Sequence, residues 1–216
     1  MSRGRIRGKR TKLLARESDR RDARLFIIAT EGAKTEPQYF SMFGSPRVKI
    51  EILPTLHGDS APKHVLARLK AFDKKYALEK DDMRWLVFDI DRTKDDQLSN
   101  VCREARQCDY GLAVSRPCFE VWLWLHFADL QPELKNPQDF EQALKEQLEG
   151  YNKSNLNISL FQTRIRDAIA RAKTLHPDPQ QNWPPTVGSH VYRVVEVILD
   201  SLKQYTGEFT DKPATE

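Results

Sequence analysis

The sequence predicts an α/β fold: a four-stranded parallel sheet flanked by helices, followed by a C-terminal helical extension. Four short apolar runs, at 25–30, 48–53, 85–90 and 111–115, alternate with segments of helical periodicity over the first 130 residues. That alternation is what parallel strands joined by crossover helices require. Beyond residue 130 the clear periodic signals are helical. The chain has 216 residues, 39% hydrophobic and 31% charged, enough to bury a core without covalent staples. Its three cysteines, Cys102, Cys108 and Cys118, are odd in number and lack CxxC spacing, so neither a disulfide framework nor a zinc site is expected.

Leu25 to Thr30 (LFIIAT) reads as a buried strand, ended by Glu31-Gly32. Thr35-x-x-Gln38 has the form of a capping box, with Pro37 in the first turn, and opens a short helix through Phe43. Val48 to Leu53 alternates and gives a second strand. Ser60 with Pro62 opens the next helix, on which Val65, Leu66, Leu69, Phe72 and Tyr76 share a face. Trp85 to Ile90 (WLVFDI) is the third strand, ending in Asp89-Ile90-Asp91. A polar helix follows, with Leu98, Val101, Cys102 and Ala105 inward, then the strand Gly111 to Ser115. Arg116-Pro117 breaks that strand, and Phe119 to Phe127 is an apolar helix. Asp139 to Leu148, Leu160 to Lys173 and His190 to Lys203 each show helical spacing. The organisation expected is a basic arm (1–23), an α/β core (24–130), a helical extension packed on it (131–205) and a frayed tail (206–216).

The longest apolar stretch, around Val121 to Leu125, is far too short to span a bilayer, and the basic N-terminus has no apolar run behind it to make a secretory signal. A soluble cytoplasmic protein without a membrane partner is expected. Residues 1–24 hold ten Lys/Arg against three acids, a local +7 in a chain of formal charge +4, which leaves −3 on the rest. A basic arm on a mildly acidic body suggests contact with a polyanion through Arg3, Arg5, Arg7, Lys9, Arg10 and Lys12. The plainer alternative is a solvated tail, because phosphate contacts carry no sequence code.

In open parallel sheets, ligands bind beyond the carboxyl ends of the strands. Here strand one delivers Glu31, strand three delivers Asp89 and Asp91, and strand four delivers Ser115, with Glu120 one turn into the next helix. Gathering carboxylates at one rim is costly unless a cation neutralises them. Oxygen ligands without a His/Cys cluster point to Mg²⁺ or Mn²⁺. Asp89 and Asp91, spaced i and i+2, face one side of a strand and can reach one metal. If Glu31 is to share that metal, strands one and three must be neighbours, giving the order 2-1-3-4. Lys34 is placed to hold a phosphate, or is a solvated loop lysine. Glu120 is either part of the rim or a helix N-terminal charge favoured by the macrodipole. His190 either approaches the site from the last helix or caps that helix beside Ser189.

Several segments together resemble the RloB-like family: Glu31-Gly32-x-Lys34-Thr35-Glu36-Pro37-x-Tyr39-Phe40, Phe88-Asp89-x-Asp91, and Ser115-x-Pro117-Cys118-Phe119-Glu120-x-Trp122 with Leu125-His126-Phe127. Tyr151-x-Lys153 and His190 extend the resemblance. It covers roughly residues 24–200, and the stretch from Ser115 to Phe127 is its most specific part. That family is similar to the Toprim proteins, with a Rossmann-like sheet. The resemblance implies that Glu31 is the general acid/base and a metal ligand, that Asp89 and Asp91 bind Mg²⁺ (or Mn²⁺), and that His126 joins Lys34 and Glu120 among the catalytic residues. The alternative for His126, which sits amid Trp122, Leu125 and Phe127, is a satisfied core histidine. It also implies a nuclease acting on DNA or RNA, tRNA included, as the effector of an anti-phage abortive-infection system. An ABC- or AAA-type ATPase would be its partner, and a homodimer is among the assemblies it allows. The alternatives are a non-catalytic nucleic-acid-binding adaptor of the ATPase, or a nucleotidyl or phosphoryl transferase using the same acidic site.

Overall fold

A computed structural model describes residues 23–55, 61–90 and 95–206. The six basic arm residues named above, together with Ser60, Asp91 and residues 207–216, lie outside the described residues. β1 (Arg24–Thr30) is buried along nearly its whole length, as a continuous apolar run requires when helices cover both faces of a sheet. α1 (Thr35–Ser41) leads to β2 (Val48–Leu53), and α2 (Pro62–Lys75) to β3 (Met83–Asp89). α3 (Asp95–Gln107) leads to β4 (Gly111–Arg116), after which α4 (Glu120–Trp124), α5 (Pro137–Gln147), α6 (Ser159–Gln162) and α7 (Ile165–Leu175) follow. β5 (Gly188–Ser189) and α8 (Tyr192–Thr206) complete the described chain.

The strands lie in the order β2-β1-β3-β4-β5. The first four pair in parallel, so β1 and β3 are neighbours as a shared site demands. The sheet has five strands rather than the expected four. β5 runs antiparallel to β4, with Ser189 opposite Ser115 and Gly188 opposite Arg116. Two residues show no periodicity in sequence. They are held by the Ser115–Ser189 hydroxyl contact at 2.9 Å and by the His190 N–H donating to the Val114 carbonyl at 2.8 Å.

Side chains alternate across the sheet and split the core in two. Phe26, Ile28, Val87 and Ala113 pack with α1, α4, α5, α7 and α8. Ile27, Ala29, Phe88 and Val114 pack with α2 and α3. The inward residues expected on α3, namely Leu98, Val101, Cys102 and Ala105, are all buried.

Several helix ends differ from expectation. The capping box at Thr35 does not form: Lys34 holds the N-cap position without a side-chain cap. The Thr35 hydroxyl and the Gln38 amide instead donate to the Lys153 carbonyl, at 3.3 and 3.0 Å. A tertiary acceptor has replaced the local one. α2 has Ala61 as N-cap and Pro62 in its first turn. α4 stops at Trp124, short of Phe127. α5 begins at Pro137 because Asn136 and Asp139 form a reciprocal capping box. The helix expected over 160–173 is broken at Thr163-Arg164 into α6 and α7. No helix among the described residues is long and apolar enough to cross a membrane.

Candidate functional site

The site is built by the register of three strands. Thr30 on β1 pairs with Val87 on β3, so the next residue, Glu31, stands beside the end of β3. Its N–H donates to the Val87 carbonyl at 2.9 Å, and its Oε2 accepts the Asp89 backbone N–H at 2.9 Å. Asp89 in turn pairs with Ser115 on β4. The chain then turns through the cis Arg116-Pro117 bond into α4, whose first residue is the buried Glu120. A cleft of about 380 Å³ opens here, lined among others by Glu31, Glu36, Asp89, Glu120 and Lys153.

Four carboxylates in one cleft repel one another, and burial sharpens the effect. Burial pushes the Asp89 carboxyl well up, and Glu36, Glu31 and Glu120 push it further, against the opposing backbone N–H of Phe119. Burial also raises Glu36, opposed by its own N–H and that of Gly32, with Glu120 raising and Lys153 lowering it. Lys153 is held protonated. Burial works against its charge, but Glu120 and Glu141, each 3.0 Å from Nζ, more than compensate. The Tyr151 hydroxyl donates to Glu120 Oε1 at 3.3 Å. Burial, then Glu120 and Asp89, push the Cys118 thiol up, so it stays protonated and supplies no nucleophile.

Gly32 lets the Glu36 carboxylate fold back against the backbone. Its N–H donates to Glu36 Oε1 at 2.8 Å, and a Cβ there would collide with that carboxylate.

Of the site residues expected from sequence, the structure brings Glu31, Asp89 and Glu120 together. Asp91 lies outside the described residues. Lys34 is exposed, donates from Nζ to Ser154 Oγ at 3.2 Å and does not line the cleft. The cation in the lining is Lys153. His126 is fully buried away from the cleft, its Nε2 3.2 Å from the Tyr39 hydroxyl and its Nδ1 2.9 Å from the Trp122 carbonyl. It lies in the turn beyond the end of α4 and packs among Tyr39, Trp122 and Phe161. Glu36 and Lys153 were not expected in the site. The sequence signal for both is their place in the segments that resemble the RloB-like family, Glu36 in the run after Glu31 and Lys153 in Tyr151-x-Lys153.

The lining offers carboxylate oxygens as its donors, which in kind suit a hard divalent cation, and their mutual repulsion favours one. Glu31, Asp89 and Glu120 are the residues that could hold it. As placed, no three His, Cys, Asp or Glu side chains among the described residues form a metal-holding group.

The placement of His126 has a consequence for stability. Burial lowers it to about 4 from the ordinary 6.5, so the unfolded chain binds a proton that the folded chain refuses between those values. Stability is therefore lost as pH falls from about 6.5 towards 4, by about 3 kcal/mol from this group. Asp89 and Glu36, pushed up, act in the opposite sense. The comparison with His126→Gln isolates the histidine: the parent's melting temperature should fall more steeply than the variant's between pH 7 and 4.5. Equal slopes would contradict the assignment.

A family model described as RloB-like protein matches residues 26–198, most of the chain. No curated protein and no solved structure matches it.

Proposed function

The chain belongs to the RloB-like family, and from that premise we propose that its acidic cleft is the active site of a divalent-cation-dependent nuclease, hydrolysing phosphodiester bonds of DNA or RNA. The observation that carries this reading is the meeting of Glu31 and Asp89 at the ends of adjacent parallel strands, joined by the 2.9 Å bond from the Asp89 N–H to Glu31 Oε2. A glutamate after the first strand and an acid after the third, in a sheet ordered β2-β1-β3-β4, also supports a Toprim-like reading.

The residues divide the work by position. Glu31, oriented through Oε2, accepts the proton of the attacking water and returns it to the leaving oxygen. Asp89 and Glu120, with Asp91, hold the cation. Bound Mg²⁺ or Mn²⁺ supplies charge stabilisation to the attacking and leaving oxygens. Lys153 limits repulsion in the cleft through Glu120 and presents an ammonium to a phosphate. The basic arm adds phosphate contacts of the sequence-independent kind. The same proposal makes the chain the effector of an ATPase partner in anti-phage defence.

The test is cleavage of plasmid, single-stranded DNA and tRNA by the full chain, with and without an ABC- or AAA-type ATPase encoded beside it, should there be one, in Mg²⁺, Mn²⁺ or EDTA. Cleavage of at least one substrate that EDTA abolishes is expected. No cleavage under any condition, with nucleic-acid binding retained, would favour the adaptor.

A further inference from the structure

Buried polar side-chain atoms are almost always hydrogen-bonded, and leaving one unpaired is costly. Among the described residues, seven such atoms without a partner fall in one cluster: Arg116 Nε, His176 Nδ1, Gln181 Oε1, Asn182 Oδ1, both ring nitrogens of His190, and Arg193 Nη2. His190 is completely buried and His176 nearly so.

The sheet register explains why they meet. Gly188 pairs with Arg116 across β5 and β4, and directly paired residues project to the same face. The direction a Gly188 side chain would take is filled by the His176 imidazole, so His176 lies beside Arg116. His190 is two residues on from Gly188 and returns to that face, with its ring 6.0 Å from that of His176. Arg193 closes the group from the first turn of α8 and is tied to the Gln181 carbonyl at 2.8 Å. Arg116 has the parity of Val114 and Leu112, the α3 side of the sheet. The acidic cleft opens on the other side, towards α1 and α4.

We propose that this cluster is a phosphate-binding pocket, separate from the acidic cleft. The chemistry of the donors selects the ligand. Arg116 flanks the cluster on the His176 side and Arg193 on the His190 side, and among the described residues no carboxylate pairs with either guanidinium. Arg193 stands in the first turn of the 15-residue helix α8, its positive end. Water can satisfy lone hydrogen-bonding atoms, but it does not neutralise the charge of two guanidinium groups. A phosphate does, and its oxygens accept from the guanidinium and imidazole N–H groups at once, whereas Gln181 Oε1 and Asn182 Oδ1 are acceptors and line the edge of the site. The source is a phosphodiester of a nucleic-acid chain or a free phosphate monoester, and the two present the same oxygens to these donors.

The test is titration of the full chain followed by the histidine ring resonances in NMR, with inorganic phosphate, a nucleoside 5′-monophosphate and a dinucleotide containing one phosphodiester. A phosphate-free nucleoside and chloride at matched ionic strength are the controls. Saturable shifts of His176 and His190, with His64 and His126 unmoved, are expected. Arg193→Gln and Arg116→Gln should each weaken binding on the order of tenfold or more, and Arg116→Lys less, since it keeps the charge but loses the planar fork. Binding of the dinucleotide identifies a nucleic-acid backbone, and binding of the monoesters alone identifies a free phosphate. If chloride moves the same resonances equally, or phosphate moves none, the pocket holds water and the proposal fails. Should Arg116→Gln not fold, the parent titration and Arg193→Gln decide. The readout is binding at histidines remote from the cleft, so it stands or falls apart from the nuclease reading.

Discussion

Glu31→Gln is expected to slow phosphodiester cleavage by roughly two to four orders of magnitude, the usual worth of a positioned general base. Glutamine keeps the size of the side chain, and its carbonyl oxygen can still accept the Asp89 N–H now bound at 2.9 Å. What it loses is the charge and the capacity to take a proton. The melting temperature should therefore stay near the parent's, and Mg²⁺ should still stabilise the fold to a large extent. Cleavage rates measured beside melting curves with and without Mg²⁺ separate these effects. Wild-type cleavage by the variant would remove Glu31 from the chemistry.

Asp89→Asn should abolish most activity and, unlike Glu31→Gln, most of the stabilisation by Mg²⁺. In the parent, a cation at about 100 times its Kd would add about 2.7 kcal/mol to stability. Without the cation the sign reverses. The Asp89 carboxyl is pushed up by burial and by Glu36, Glu31 and Glu120, so the folded state holds a proton at pH values where the unfolded chain has released it. Stability then declines as pH rises from the ordinary aspartate range through the folded value. Asparagine removes that dependence. At neutral pH in EDTA the variant should melt higher than the parent, by roughly 2–4 °C for each kcal/mol of repulsion relieved. A lower melting temperature in EDTA would show that the carboxylate holds the fold together rather than the site.

The two variants test parts of the site that differ in how plainly the sequence exposes them. Glu31 and Asp89 each end an apolar run, and position alone marks them, because a buried strand closing on a carboxylate places charge at a rim. Glu120 follows from its place just after the break at Pro117. Glu36 and Lys153 carry no such mark. Glu36 reaches the cleft by folding back under Gly32. Lys153 comes from a loop more than thirty residues beyond Glu120, and its pairing with that residue exists only in space. His126 shows the converse: its segment suggests the site, but the turn that follows α4 places it in the aromatic core.

The parallel strands, the helices between them, the burial of their apolar faces and the carboxylates at the ends of β1 and β3 are all legible along the chain. These follow from periodicity and chain punctuation, which are local properties. Packing in three dimensions sets which polar groups meet. It added β5, whose two residues are a strand only because β4 offers an open edge. It moved the caps of α1 to the Lys153 carbonyl, placed Lys153 rather than Lys34 in the cleft, and brought Arg116, His176, His190 and Arg193 into one cluster. The physical reason is range. Helix and strand are set by neighbours within a few residues, whereas charge and hydrogen-bond partners are set by distance in space, which chain position does not encode.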